Sequence, residues 1–257
     1  MDYILSSINL VIADPNVFWI ALIVLLALFT RAAIGFGDGV IAVPLLSLMI
    51  DISEAVPFIL FISTLMSFVA LWKDRAHVQF GSLKRTASMA LLGFPFGILL
   101  LGVTDNELVK SLLGCVLIIM AIWFLSPAKK IQLKANGWSY FFGLLAGVLG
   151  GAYAFRGIVF GIYGSLRGWS PAQFKGTIHS FFLLSGIFIP FGYFGAGLVT
   201  PRVIGLFFVM MPVALFATLV GTWFSGKLNA NTFQKVIWSV LLLLGIVFIV
   251  QFLSKNM

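Results

Sequence analysis

A chain of 257 residues that is 61% hydrophobic and 9% charged, with 27 Phe and a mean hydropathy of +1.12, lies outside the composition of soluble domains. No polar stretch is long enough for a soluble domain, whereas several apolar runs reach the roughly 20 residues that span a hydrocarbon core, so the sequence reads as an all-α polytopic membrane protein. In such a protein the formal charge of +8 reports loop orientation, so nucleic acid is not an expected partner; the lone Cys115 excludes an internal disulfide or a cysteine metal cluster.

Asp2 and Asp14 are the only charges before Arg31, so there is no basic n-region and no cleaved signal peptide is expected. Val17 to Ile34 is apolar, and the run is then broken by Gly35, Gly37, Asp38 and Gly39 before Val40 to Ile50 resumes. That second piece reaches only about 16 Å, roughly half the hydrocarbon core, which predicts a half-helix. Ser53 is placed to cap a span over Ala55 to Trp72. A polar loop from Lys73 to Arg85 precedes spans over Thr86 to Val103 and Leu108 to Leu125, and a basic linker from Ser126 to Gly137 follows.

The remainder restates this order. Trp138 to Gly151 and Gly157 to Leu166 are short pieces around a second break, Gly147 to Gly157, followed by spans over Phe174 to Phe194, Val203 to Phe224 and Lys235 to Leu253. Ser53 and Ser170, Ser63 and Ser180, and Pro95 and Pro212 all stand 117 residues apart; one deletion aligns Asp38 with Arg156 at 118. The expected architecture is two repeats, residues 1–126 and 127–257, within a single membrane domain. Each has two short broken segments and three full spans, giving 8–10 membrane segments.

If the short pieces contribute an even number of crossings, each half has odd parity and the repeats are inverted. This places Lys73, Arg75, Lys84, Arg85, Lys129, Lys130, Lys134, Arg167, Lys175, Lys227 and Lys235 in the cytoplasm and leaves Lys110, Arg202 and Lys255 outside. The positive-inside rule favours that arrangement, with the N-terminus outside.

Charges in mid-membrane breaks are functional candidates by default, because burying a charge there costs several kcal/mol. Asp38 and Arg156 are the first such candidates; the competing reading is that they pair with each other and pin the repeats together. Arg31 either joins them or snorkels to an interface. Gly37, Gly39 and Gly157 free backbone N–H groups, and half-helix N-termini near Val40 and Ile158 would direct partial positive charge into the breaks. Arg156 adds a planar fork of donors suited to an oxyanion. Arg31, Asp38 and Arg156 together carry one net positive charge, which fits a small anion.

Ser63, Thr64 and Ser67 on one span, and Thr177, His179 and Ser180 on its counterpart, add hydroxyls and an imidazole; each hydroxyl has back-bonding to the preceding turn as its alternative. His179 reads either as a proton carrier or as an interhelical donor. Tyr153 and Tyr163 either line the second break or pack beside it.

The segments Gly35-Phe36-Gly37-Asp38-Gly39-Val40-Ile41-Ala42-Val43-Pro44-Leu45-Leu46 and Ile162-Tyr163-Gly164-Ser165-Leu166-Arg167-Gly168-Trp169-Ser170-Pro171-Ala172-Gln173-Phe174-Lys175 resemble the two signature regions of the TauE/SafE family of sulfite exporters. The resemblance implies an anion transporter of the bacterial cytoplasmic (inner) membrane that moves sulfite, organosulfonates or related sulfur-containing organic anions. The family's second signature often has glycines and prolines where this chain has Phe155-Arg156-Gly157-Ile158-Val159, a departure that should favour a negatively charged guest.

The expected protein is therefore a secondary carrier working by alternating access, with substrate contacts from Arg156, Gly37, Asp38, Gly39, Gly157, Arg31, Ser63, Ser180, Tyr163 and His179. No enzymatic activity, cofactor or metal is expected: the chain has no His-Glu-x-x-His motif and no glycine-flanked nucleophilic serine with an evident base. The expected partners are the small anion and membrane lipid, with room left for a coupling proton or ion and for a homodimer. The alternative is a non-transport membrane subunit that binds a partner or lipid.

Overall fold

The computed structural model describes residues 2–74, 77–103, 106–126, 132–225 and 230–256. Over these residues the chain forms eleven helices and no strand: α1 (Asp2–Ile12), α2 (Val17–Ile34), α3 (Asp38–Leu46), α4 (Ile52–Asp74), α5 (Phe80–Val103), α6 (Asn106–Leu125), α7 (Trp138–Tyr153), α8 (Arg156–Leu166), α9 (Pro171–Gly195), α10 (Pro201–Phe224) and α11 (Ala230–Asn256). Seven of them, α2, α4, α5, α6, α9, α10 and α11, are long and apolar enough to cross a membrane. Their outer faces are apolar as well; Phe191, for example, is 74% exposed, as expected where the solvent is lipid.

Several boundaries differ from the sequence reading. The first piece of the first break is not short, since α2 is 18 residues long, with the length and apolar composition of a membrane span. The half-helices α3 and α8 begin at Asp38 and Arg156, two residues earlier than the expected starts near Val40 and Ile158. α4 begins at Ile52, with the Asp51 carbonyl accepting from the Ala55 N–H at 2.9 Å; Asp51, not Ser53, thus stands ahead of the first turn. Its counterpart Ser170 does cap α9, in a reciprocal capping box with Gln173.

The second break is narrower than expected. Gly147, Gly150 and Gly151 lie inside α7, and the chain turns only at Ala154, whose φ of 59° is left-handed. These glycines serve packing instead. A Cβ on Gly147 would sit 2.8 Å from Gly93 Cα, and one on Gly151 would sit 2.7 Å from the Phe94 carbonyl oxygen. Small residues at four-residue spacing let the α5 and α7 backbones touch, the usual basis of helix association in lipid.

Polar contacts establish which helix ends lie together. At one end, Arg202 in the first turn of α10 pairs with Asp14, just ahead of α2, at 2.5 Å and with Glu54 in the first turn of α4 at 3.5 Å. The starts of α2 and α4 therefore share an end, and the α2–α3 pair leaves and returns there. At the other end, the Gln79 N–H donates to Thr177 Oγ1 on α9 at 2.9 Å, and Arg85 on α5 donates to Ser139 on α7 at 2.9 Å. Arg167, just after α8, donates there to the carbonyls of Leu133 and Lys134 ahead of α7. The α7–α8 pair opens at this second end. Of the loop charges used above to assign orientation, Arg75, Lys129, Lys130 and Lys227 lie outside the described residues.

The principal helix pairings are α5 with α7, α10 with α2, α4 with α9 and α6 with α11. α3 packs on α4 and α8 on α9, so the α4–α9 pair flanks both half-helices.

Candidate functional site

The first break is made by glycine geometry. Gly35 closes α2 with φ 108° and Gly37 precedes α3 with φ 121°, values that a side chain would strain. The turn lets the last helical turn of α2 and the first residue of α3 face each other. Arg31 Nε lies 3.3 Å from Asp38 Oδ2, and both side chains are buried. Arg31 does not snorkel; it is 2% exposed, because α4 and α9 cover that end of α2.

The second break supplies Arg156, 1% exposed, at the first position of α8. Its partners are hydroxyls: Nη1 donates to Ser185 Oγ on α9 at 2.9 Å, and Nη2 donates to Thr64 Oγ1 on α4 at 3.1 Å. Arg31 Nη2 likewise donates to Ser67 Oγ on α4. Each of these hydroxyls gives its own proton to the preceding turn: Ser185 to Phe181 O at 2.7 Å, Thr64 to Leu60 O at 2.7 Å and Ser67 to Ser63 O at 2.9 Å. Back-bonding and site membership are thus compatible, since a committed proton leaves a lone pair facing the guanidinium.

The two breaks cross in contact. A Cβ on Gly39 would meet the Ala154 backbone and one on Gly157 would sit 3.4 Å from Phe36 Cβ, so the second residue of each half-helix packs on the residue ahead of the other's N-cap. Neither half-helix has a side-chain cap hydrogen bond. The N-terminus of α3 carries Asp38, whose charge suits the helix dipole; that of α8 carries Arg156, whose charge opposes it. The two guanidiniums converge on one ring. The Cζ atoms of Arg31 and Arg156 lie 5.0 and 4.8 Å from the centroid of Phe182.

The competing reading, in which Asp38 pairs with Arg156, gives way to an Asp38–Arg31 pair, because the glycine turn folds α2 and α3 onto each other while Thr64 on α4 and Ser185 on α9 hold Arg156. Of the other sequence candidates, Gly37, Gly39 and Gly157 are at the crossing, and Ser63 contributes its carbonyl to Ser67. His179 is buried one turn from Phe182, with ring centroids 6.4 Å apart and Nδ1 without a hydrogen-bond partner. Ser180 donates to Gly176 O on its own helix, and the guanidiniums instead reach Ser67, Thr64 and Ser185. Tyr163 packs among Phe142, Phe160 and Trp169 and hydrogen-bonds Ser82, and Tyr153 donates to Val109 O.

Phe182 and Ser185 escaped the sequence reading. Their signal is the helical spacing His179, Phe182, Ser185, which puts all of them on the face of α9 toward the crossing.

A helical membrane bundle with helices broken around buried charges has the anatomy of a polytopic transport protein. The family model described as sulfite exporter TauE/SafE matches residues 20–248, and the chain belongs to that family. It is accordingly an integral membrane protein of a transporter family. No curated protein and no solved structure matches the chain.

Proposed function

We propose that the protein is a secondary carrier for a small sulfur oxyanion, sulfite or an organosulfonate, which binds at the crossed breaks between Arg31 and Arg156. The single observation that carries this reading is the charge balance: among the described residues two guanidiniums, Arg31 and Arg156, are buried with one buried carboxylate, Asp38, which pairs with Arg31. A buried net positive charge inside a membrane asks for an anion. The N-terminus of α8, which has no side-chain cap hydrogen bond and carries Arg156 as its first residue, adds the partial positive charge of the helix dipole.

Alternating access rests on the relation between the halves. Swapping residues 1–126 for 127–257 exchanges the α5–α7 and α10–α2 pairings and returns α4–α9 and α6–α11 to themselves. The broken pairs open at opposite ends, which supports inverted repeats rocking about a fixed site. The end that carries Arg85, Arg167 and Lys175 is the basic one and is assigned to the cytoplasm of a bacterial inner membrane, with the N-terminus outside. In a Cys115→Ala background, His77→Cys should react with an impermeant thiol reagent only after cell lysis; labelling in intact cells would reverse the assignment.

Counterflow in proteoliposomes containing the purified chain alone tests the function. Preloaded methanesulfonate should drive uptake of labelled sulfite. Uptake only after a second protein is added would identify the chain as a subunit, and uptake of neutral or cationic solutes in place of anions would remove the anion reading.

A further inference from the structure

Phe182 is a core residue that also faces two cations. It is 1% exposed and lies on α9 between Lys175, His179 and Ser185. A Cβ on Gly157 would come within 2.7 Å of its Cζ, so only the bare α8 backbone admits the ring. Its centroid has Arg156 at 4.8 Å and Arg31 at 5.0 Å, so the two Cζ atoms are less than about 10 Å apart. Two like charges at such a distance, with one carboxylate paired to Arg31, repel in a low dielectric. An aromatic face carries partial negative charge and attracts a guanidinium placed over it, most strongly where water is excluded.

The geometry points to Phe182 as an internal stand-in for the substrate: in the empty site its ring holds both guanidiniums, and an arriving oxyanion draws them off it. The inference rests on the anion-site reading above. It assigns Phe182 a positioning role that sets affinity and release. Ser67 accepts from Arg31 Nη2, and Ser185 and Thr64 accept from Nη1 and Nη2 of Arg156, so each guanidinium is tethered through its own helix neighbours and keeps further N–H groups for an anion. The ring therefore favours the empty state selectively. Losing it should make anion binding tighter and anion release slower, the reverse of what losing an ordinary substrate contact does.

Phe182→Leu keeps apolar volume, and so keeps water out, but removes the π face. The control is Phe181→Leu: Phe181 is a buried neighbour on the same helix, stacked on Phe160 with ring centroids 4.7 Å apart. Sulfite and methanesulfonate affinities are measured by calorimetry on purified, monodisperse protein. Phe182→Leu should tighten both by about tenfold, the fold-change equivalent to roughly 1.4 kcal/mol, with slower counterflow; Phe181→Leu should leave affinity within about twofold. Unchanged or weaker binding in Phe182→Leu, beside normal binding in the unaltered chain, would overturn the role of Phe182 and spare the anion site. No binding by the unaltered chain would overturn both.

If Phe182→Leu does not yield monodisperse protein, a meta-fluorophenylalanine at position 182 reports the same event. Its 19F resonance should shift on addition of methanesulfonate in the otherwise unaltered chain and stay fixed in Arg156→Gln. An unmoved resonance at an anion concentration that saturates binding would contradict the exchange.

Discussion

Arg156→Lys should bind sulfite and methanesulfonate about ten to one hundred times more weakly than the unaltered chain while remaining folded, and Arg156→Gln should be weaker still. Lysine keeps the charge but offers one compact ammonium where arginine offers a planar fork. The two arms of that fork reach Ser185 on α9 and Thr64 on α4, which fixes the plane of the guanidinium beside the crossing, and its remaining N–H groups can serve an anion. Losing a charge-assisted bond of about 1.5 to 3 kcal/mol corresponds to one to two decades in affinity. Titration of monodisperse protein separates recognition from misfolding. Affinities within about twofold of the unaltered chain in both variants would make Arg156 a structural residue and move the site elsewhere.

Asp38→Asn should act first on stability. The substitution leaves Arg31 and Arg156 charged and buried with no carboxylate, and breaking a buried pair from one side costs about 3 to 5 kcal/mol. The unfolding midpoint of purified protein should fall, and saturating methanesulfonate should recover more of it than the same anion adds to the unaltered chain, because the anion now supplies the missing negative charge. Combining Asp38→Asn with Arg31→Gln should restore the midpoint without anion, since Arg31 is the partner at 3.3 Å. The double change Asp38→Asn with Arg156→Gln should restore less. Equal rescue by both pairs would show that net charge matters and the specific pairing does not.

The sequence made some of this visible and concealed the rest for physical reasons. A charge beside glycine in an apolar run is conspicuous at Asp38 and Arg156 because nothing else in a membrane segment needs either residue, and both proved to be first residues of half-helices. The Asp38–Arg31 pair was concealed because it depends on the turn made by Gly35 and Gly37, whose direction a residue string does not give. Glycine is ambiguous in lipid. At positions 35 and 37 it bends the chain, whereas at positions 147 and 151 it lets α5 approach, and only the neighbouring helix distinguishes these uses. Ser63 and Ser180 share a repeat offset, yet it is their helix neighbours Ser67, Thr64 and Ser185 whose hydroxyls accept from the arginines, so the repeat pointed to the right helices and not to the right residues. Phe182 was one phenylalanine among 27, and its role depends on two cations that come from other helices.

The most direct test of the central claim is to locate the anion. Selenite has the pyramidal shape of sulfite, and its selenium can be placed by anomalous scattering from crystals of sulfur-methionine protein. The account predicts selenium at the crossing of the breaks, within about 5 Å of the Arg156 and Arg31 Cζ atoms, as charge-assisted N–H···O bonds of about 2.8 Å require, with the Phe182 ring no longer held between them. Selenium bound instead at the helix ends, beside Arg202 or Lys255, with the central cluster unchanged, would contradict it.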